Sequence, residues 1–304
     1  EDFELCYVLG RGSMGKVFLA RDRETRHHYA VKCIAKHRLI EQQELYHARS
    51  ERDILATLSR VHHPFLIRLL YSFQNEDQLF LVLDYHRGGD IASELTRLHH
   101  FDETRVLFYA QELVLGIAEL HRLGIIYRDL KPENILIAQD GHVVLTDFGL
   151  SKQFTQGNPY APYEQEDYGG GGGEEEAGVS TDTFCGTAEY LAPEVLMGDR
   201  YSYAVDWWSL GTVLYEMLFG ITPFWDDNHM VMYRRVLRES VQFPANIPET
   251  IKSFLGRLLD RNPSRRLGHG IDGARQVQEH PFFEGTNWDD VIKKKVPVPY
   301  VPAA

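Results

Sequence analysis

The run Tyr127-Arg128-Asp129-Leu130-Lys131-Pro132-Glu133-Asn134, followed downstream by Asp147-Phe148-Gly149, decides how the rest of the chain is read. Phosphoryl transfer asks for a carboxylate that orients the attacking hydroxyl and accepts its proton. It also asks for hard oxygen ligands that hold magnesium. Asp129 fits the first need. Asn134, five residues later, and Asp147, at the end of a short strand, fit the second. Lys131 can neutralise charge on the transferred group. A solvated charged loop is the bland alternative, but it has no need of these side-chain types at this spacing.

Toward the N-terminus, Gly10-Arg11-Gly12-Ser13-Met14-Gly15-Lys16-Val17 has the spacing GxGxxGxV. Glycines let backbone amides approach a polyphosphate with no Cβ in the way. A dinucleotide-binding turn carries the same glycines but opens a helix, whereas these lie between two strands. On the glycines alone, a plain hairpin turn competes evenly with phosphate binding. Lys32, in Ala30-Val31-Lys32, sits within an apolar strand and needs a partner there. Phosphate oxygens and a helix carboxylate would supply one, and Glu51 on the following helix is the candidate. A surface salt bridge is the competing reading of that pair.

The pattern predicts a small strand-rich lobe joined to a larger helical lobe, with a cleft between them. Phe3, Leu5, Tyr7 and Leu9 alternate at period two, residues 17–20 resume the pattern, and 29–34 read as a third strand. Residues 41–58 have helical spacing, with Leu45, Ala48, Ile54, Leu55 and Leu58 on one side. The apolar strand 79–83 ends at the polar stretch 84–89, a candidate hinge. Beyond it, 104–123, 203–219, 229–238 and 248–259 read as helices, with short strands at 135–137 and 143–146. Residues 153–182 contain Asn158-Pro159, five glycines at 169–173 and Glu174-Glu175-Glu176, which predicts a disordered insertion.

Composition excludes more than it selects. With 304 residues the chain can bury a substantial core. It has no apolar run long enough for a membrane span. A net charge of −12 argues against general nucleic-acid affinity and is compatible with a basic peptide partner. Cys6, Cys33 and Cys185 have neither zinc nor disulfide spacing, so reduced thiols in a cytoplasmic or nuclear protein are expected. The chain opens at Glu1 without Met, which is compatible with a targeting segment cut away.

With Ala192-Pro193-Glu194 and Asp206-Trp207-Trp208-Ser209-Leu210-Gly211 added, the chain resembles eukaryotic protein kinases from residue 3 to about 285. The resemblance implies an α+β bilobal fold: an N-lobe over 1–84 with one regulatory helix, and a mainly helical C-lobe over 85–285. Residues 286–304 would begin a C-terminal tail. It implies ATP and magnesium, with Lys32, Glu51, Asp129, Lys131, Asn134 and Thr187 as catalytic residues and Asn134 and Asp147 as metal ligands. Gly10, Gly12 and Gly15 would cover the phosphates. Leu9, Val17, Ala30 and Leu136 would sandwich adenine beside the gatekeeper Leu83 and a hinge from Asp84 to His86. Leu55, Leu69, Tyr127 and Phe148 would stack as the spine of the active state, and Glu194 would pair with Arg266.

Tyr127 before Arg128-Asp129, the run Thr183-Phe184-Cys185-Gly186-Thr187-Ala188-Glu189-Tyr190, and Val298-Pro299-Tyr300-Val301-Pro302 are similar to the AGC group. Within it they are most similar to protein kinase B, the serum/glucocorticoid-regulated kinases and the ribosomal-protein-directed kinases. That implies phosphorylation of Thr183 by an upstream kinase, with His47, Arg128 and Lys152 clamping the phosphate. Ser180 and Thr181 compete as sites. Asp90, Glu133 and Glu216 would bind arginines upstream of the target residue, Asp90 being shorter than the usual Glu. Met14 replaces the aromatic often found at the loop tip. The chain stops at Ala304, before the hydrophobic motif that would fill a groove on the Glu51 helix, so an empty groove is expected. A monomer is expected. The alternatives are a scaffold that keeps the fold without catalysis and a small-molecule kinase. The first is disfavoured by the complete catalytic set, the second by the peptide-recognition residues.

Overall fold

The computed structural model describes residues 2–303 apart from 13–14, 155–180, 182 and 184. Five strands build the first layer: β1 (Phe3–Arg11), β2 (Gly15–Asp22), β3 (His28–Ala35), β4 (Leu69–Gln74) and β5 (Gln78–Asp84). They pair antiparallel in the order β1-β2-β3-β5-β4. The helices α1 (Lys36–Glu41) and α2 (Leu45–Val61) lie between β3 and β4 in sequence. One face of α2, with Ala48, Ile54, Leu55 and Leu58, is buried in the main core. Ala20, Val31, Cys33 and Val82 form a separate small core within the sheet, flanked by Phe3, Phe18, Tyr29 and Phe80.

Beyond Asp84 the chain is mainly helical: α3 (Ile91–Leu98), α4 (Glu103–Arg122), α5 (Pro193–Met197), α6 (Ala204–Phe219), α7 (His229–Arg238), α8 (Glu249–Leu258), α9 (Gly273–Gln278) and α10 (Trp288–Ile292). Asp102 caps α4 by accepting the Arg105 amide at 2.9 Å. The apolar length of α4 and α6 packs inward, and Trp207 and Trp208 are fully buried. Short strands β6 (Ile125–Ile126), β7 (Ile135–Ile137), β8 (Val143–Leu145) and β9 (Lys152–Gln153) frame the loops between α4 and α5. Strand β6 pairs with β9 and β7 with β8.

The expected helix of the first lobe is α2, and a further short helix, α1, precedes it. Gln43 takes φ +57°, which ends α1, and no glycine marks that left-handed position in the sequence. Leu45, expected on the buried side, is exposed. The expected disordered insertion is also shorter at its edges. Gln153 pairs with Ile125, the Phe154 amide donates to Gly124 O, and Thr181 bridges to Tyr201. The rest of that expectation, 155–180, and the loop-tip Met14 lie outside the described residues.

Arg266 ties the helical layer together. Its fully buried guanidinium donates to both Glu194 carboxylate oxygens, at 2.6 and 2.8 Å, and to the Ala204 and Asp260 carbonyls at 2.9 Å. It also faces the Trp208 ring at 5.2 Å. Removing one partner of such a pair leaves a buried, uncompensated charge. Arg266→Ala should therefore lose about 3–5 kcal/mol of stability in urea unfolding. Arg266→Lys should also lose stability, because an ammonium cannot reproduce the two-pronged contact.

Candidate active site

Antiparallel register carries the upper side of the site. Val17 stands opposite Lys32, and Ala30 opposite Leu83. Because side chains alternate, these four share one sheet face. Leu83 is buried, while Val17, Ala30 and Leu136 are half-buried and Leu9 is exposed, so apolar surface remains open along this face. Gly10 pairs with Val17. At Gly15 a Cβ would stand 2.0 Å from the Cys33 carbonyl, so close strand approach requires glycine there. At Gly10 and Gly12 a Cβ would meet no atom within 4 Å, so packing does not require glycine. Asp84 is tied to Arg68 through two bonds at 3.1 and 3.2 Å, and burial lowers the pKa of His86.

Lys32 bridges the two lobes. Its Nζ lies 2.6 Å from Glu51 Oε1 on α2 and 3.3 Å from Asp147 Oδ1. Burial opposes its charge, yet Glu51 and Asp147 outweigh that and hold it above the ordinary lysine range. The positive charge of Lys32 in turn keeps Asp147 below the usual carboxylate range. Behind them Leu55 is buried and Leu69 packs on the same core. Tyr127 and Phe148, both fully buried, stack edge to face with centroids 5.2 Å apart.

The catalytic loop hangs from Asp206. This carboxylate on α6 is fully buried and accepts the Tyr127 amide (2.9 Å), the Arg128 amide (2.8 Å) and His121 Nε2 (2.8 Å). Arg128 takes φ +69° and Asp147 φ +56°, conformations that non-glycine residues adopt at a cost and that cluster at functional sites. Asp206 was quoted in the sequence only as part of a motif. A carboxylate inside Ala-Val-Asp-Trp-Trp was itself a signal, since a buried charge requires partners.

Asp129 is held from three sides. Thr187 Oγ1 donates to its Oδ1 at 3.1 Å, while Asn134 Nδ2 and Lys131 Nζ each lie 2.9 Å from its Oδ2. Lys131 also donates to Thr187 Oγ1 at 2.8 Å, closing a triangle. Asn134 Nδ2 also donates to the Asp129 backbone carbonyl at 2.8 Å, which fixes the amide beside the carboxylate. The Thr146 amide donates to Asn134 O at 3.0 Å, which ties the segment bearing Asp147 to it. One carboxylate and one amide oxygen suit magnesium, which takes few protein ligands and completes its shell with phosphate and water. Among the described residues no group of three or more His, Cys, Asp or Glu could hold a metal by itself.

The remaining expected residues are placed unevenly. Glu216 accepts from Tyr190 Oη at 2.6 Å. Its pKa is pushed up to about 7, first by burial and further by repulsion from Glu189 and Glu133. Glu133 is exposed. The carboxylate of Asp90 caps α3 by accepting the Ser93 amide at 2.7 Å. Thr183 is exposed, whereas its rival Thr181 is buried and paired with Tyr201. Of the expected clamp, Arg128 connects to Thr183, among the described residues, through Tyr201. His47 pairs with Glu44, and Lys152 lies 5.6 Å over the Phe154 ring. Glu189, Tyr190 and Tyr201 were not singled out as site residues, because their roles come from contacts distant in sequence.

The protein kinase domain family matches residues 3–283. The chain is 42% identical to the RAC family serine/threonine-protein kinase homolog of Dictyostelium discoideum, covering 99% of this chain and 62% of the relative. It is 44% identical to serine/threonine-protein kinase Sgk1 of Homo sapiens, with 99% and 64% covered. It is 40% identical to serine/threonine-protein kinase sgk-1 of Caenorhabditis elegans, with 99% and 60% covered. It thus spans less than two thirds of the length of these relatives. With the match extending from the first strand to the last helices of the second lobe, the chain belongs to the protein kinase family and is similar to its serine/threonine-specific RAC and Sgk members.

Proposed function

We propose that the chain transfers the γ-phosphoryl group of ATP to serine or threonine hydroxyls of proteins. The observation that carries this reading is the triangle of Asp129, Lys131 and Thr187, set below the Lys32–Glu51–Asp147 ion group. Asp129 has its carboxylate fixed by neighbours and can accept the proton of a hydroxyl as that oxygen bonds to the γ-phosphorus. The bond from phosphorus to the bridging oxygen breaks, and ADP leaves. Lys131 is placed to offset charge on the transferred group, and Lys32 to hold the other phosphates. Asn134 and Asp147 would hold magnesium, whose charge neutralises the phosphates when it is bound. We read 1–84 and 85–285 as the two lobes that close on the nucleotide, and 286–304 as the start of the tail.

Three finer readings belong with this one. Thr183 is the activating phosphosite for an upstream kinase; its exposure beside the buried Thr181 supports this. The clamp of Arg128, His47 and Lys152 then forms on the phosphate, with β9 packed beside α2. Glu133 and Glu216, joined by Glu189, receive substrate arginines. A cavity of about 680 Å³ behind α2, lined by Leu39, Ile40, Leu45, Tyr46 and Phe80 and edged by Arg49 and Arg52, receives a hydrophobic-motif tail. It is apolar and lies away from the catalytic loop, as a docking groove rather than a reaction site would.

Two measurements test this. Incubated with Mg-ATP and an arginine-rich peptide, the chain phosphorylated on Thr183 should transfer phosphate, and Asp129→Ala should lower turnover by about 10²–10⁴-fold. Nucleotide binding without any transfer would make it a scaffold instead. The second concerns pH. A carboxylate titrating near 7 is ionised above that pH and neutral below it, and only the ionised form pairs with arginine. KM for an arginine peptide should therefore rise as pH falls from 8 to 6, with kcat less affected, and Glu216→Gln should flatten that dependence at a uniformly raised KM.

A further inference from the structure

Tyr201 is an aromatic residue between α5 and α6, 4% exposed, and the mechanism above makes no use of it. Its backbone pairs with Thr181 through hydrogen bonds of 3.0 and 2.8 Å, so the ladder alone brings the chain near Thr183 to this point. The hydroxyl does something additional. It donates to the Thr183 carbonyl at 2.6 Å and accepts from Arg128 Nη1 at 3.2 Å, with Cys185 Sγ 3.7 Å away. Burial keeps the phenol protonated by raising its pKa, against the opposing effect of Arg128, so it remains a donor at working pH.

Arg128 precedes the base Asp129, and its backbone is the left-handed one held by Asp206. It is itself buried, and a buried guanidinium requires acceptors. Leu150 O takes Nε at 2.5 Å, and the Tyr201 hydroxyl takes Nη1. Gly186, at φ +114°, lets the segment pass close by: a Cβ there would stand 3.0 Å from the Arg128 carbonyl. One hydroxyl thus joins the residue beside the base to the carbonyl of the candidate phosphosite.

We infer that Tyr201 is a positioning residue that holds the Thr183 segment on Arg128 while Thr183 carries no phosphate, and that a phosphate on Thr183 takes over this task. This rests on the reading of Thr183 as the phosphosite. A neutral hydroxyl is a weaker acceptor for guanidinium than a phosphate bearing nearly two charges, so the phosphate wins Arg128 when present. Tyr201 then sets the activity of the unphosphorylated chain and, through it, the factor by which phosphorylation activates.

The test compares Tyr201→Phe with the wild type, each prepared stoichiometrically phosphorylated on Thr183 and phosphatase-treated, using Mg-ATP and an arginine peptide. Loss of one hydrogen bond that orders the site should lower kcat of the unphosphorylated form about five- to tenfold. The phosphorylated form should stay within about twofold, so the activation ratio rises. A Thr183→Ala background, which keeps the backbone carbonyl, should show the same loss when Tyr201→Phe is added. Equal loss in both phosphorylation states would mark a merely structural residue and overturn the inference, as would no loss in either. A wild-type chain that is not activated by phosphate on Thr183 would instead overturn the phosphosite reading. The Thr183→Ala pair would still decide whether Tyr201 positions the segment.

Discussion

A single buried carboxylate fixes the geometry on which the proposed transfer depends. Asp206 is withdrawn from water and would be costly there without donors; it has two backbone amides and a histidine ring. Those amides belong to Tyr127 and Arg128, so satisfying the charge and holding the loop are the same event. The left-handed turn at Arg128 costs conformational energy, and the bond to Asp206 helps offset it. Asp129 follows directly, and its side chain is then fixed by Lys131, Asn134 and Thr187. Since Asp206 sits on α6 and His121 on α4, the position of the base is inherited from the packing of the two most deeply buried helices.

The upper lobe meets this fixed floor through charge. Lys32 is contributed by the middle of the sheet, Glu51 by α2 and Asp147 by the loop after β8. Three groups from three elements are held within one ionic contact. A rotation of α2 away from the sheet would strip Lys32 of its shorter partner and leave Glu51 buried without a counter-charge. The apolar cavity behind α2 abuts the same helix. An occupant there would therefore bear on the ion group from the opposite face.

The parts of this site written in local spacing were legible in the sequence. Asp129, Lys131, Asn134 and Asp147 are required types on a short stretch, and helices such as α7 follow from apolar periodicity. What was hidden depended on contacts between distant segments or on unsignalled backbone. The break between α1 and α2 turns on Gln43 in a left-handed conformation that no glycine announces. Asp90 reads as an arginine ligand by position, and its further role as the cap of α3, which its short side chain suits, was not read. Gln153 looks like the start of an insertion by composition, but β6 supplies a strand partner that composition cannot reveal. Tyr201 carries no motif signal at all, because its importance lies in where its hydroxyl ends.

The acidic corner beside Asp129 shows what the proposed recognition of arginine would draw on: unfavourable electrostatics in the free protein. Burial is the main cost of ionising Glu216 and Glu189, and repulsion among Glu133, Glu189 and Glu216 adds to it. A structure selected for stability alone would place an arginine or lysine among them. Here, among the described residues, a tyrosine hydroxyl supplies a neutral hydrogen bond to Glu216. A cation from outside would bring what the fold withholds: it would restore the ionised form of Glu216 and relieve the repulsion together. The gain on binding a guanidinium is then larger than one exposed salt bridge would give, because part of it is the release of a penalty carried by the free protein. A lysine would relieve the same repulsion but could not bridge two carboxylates with a planar fork, so such a corner favours arginine.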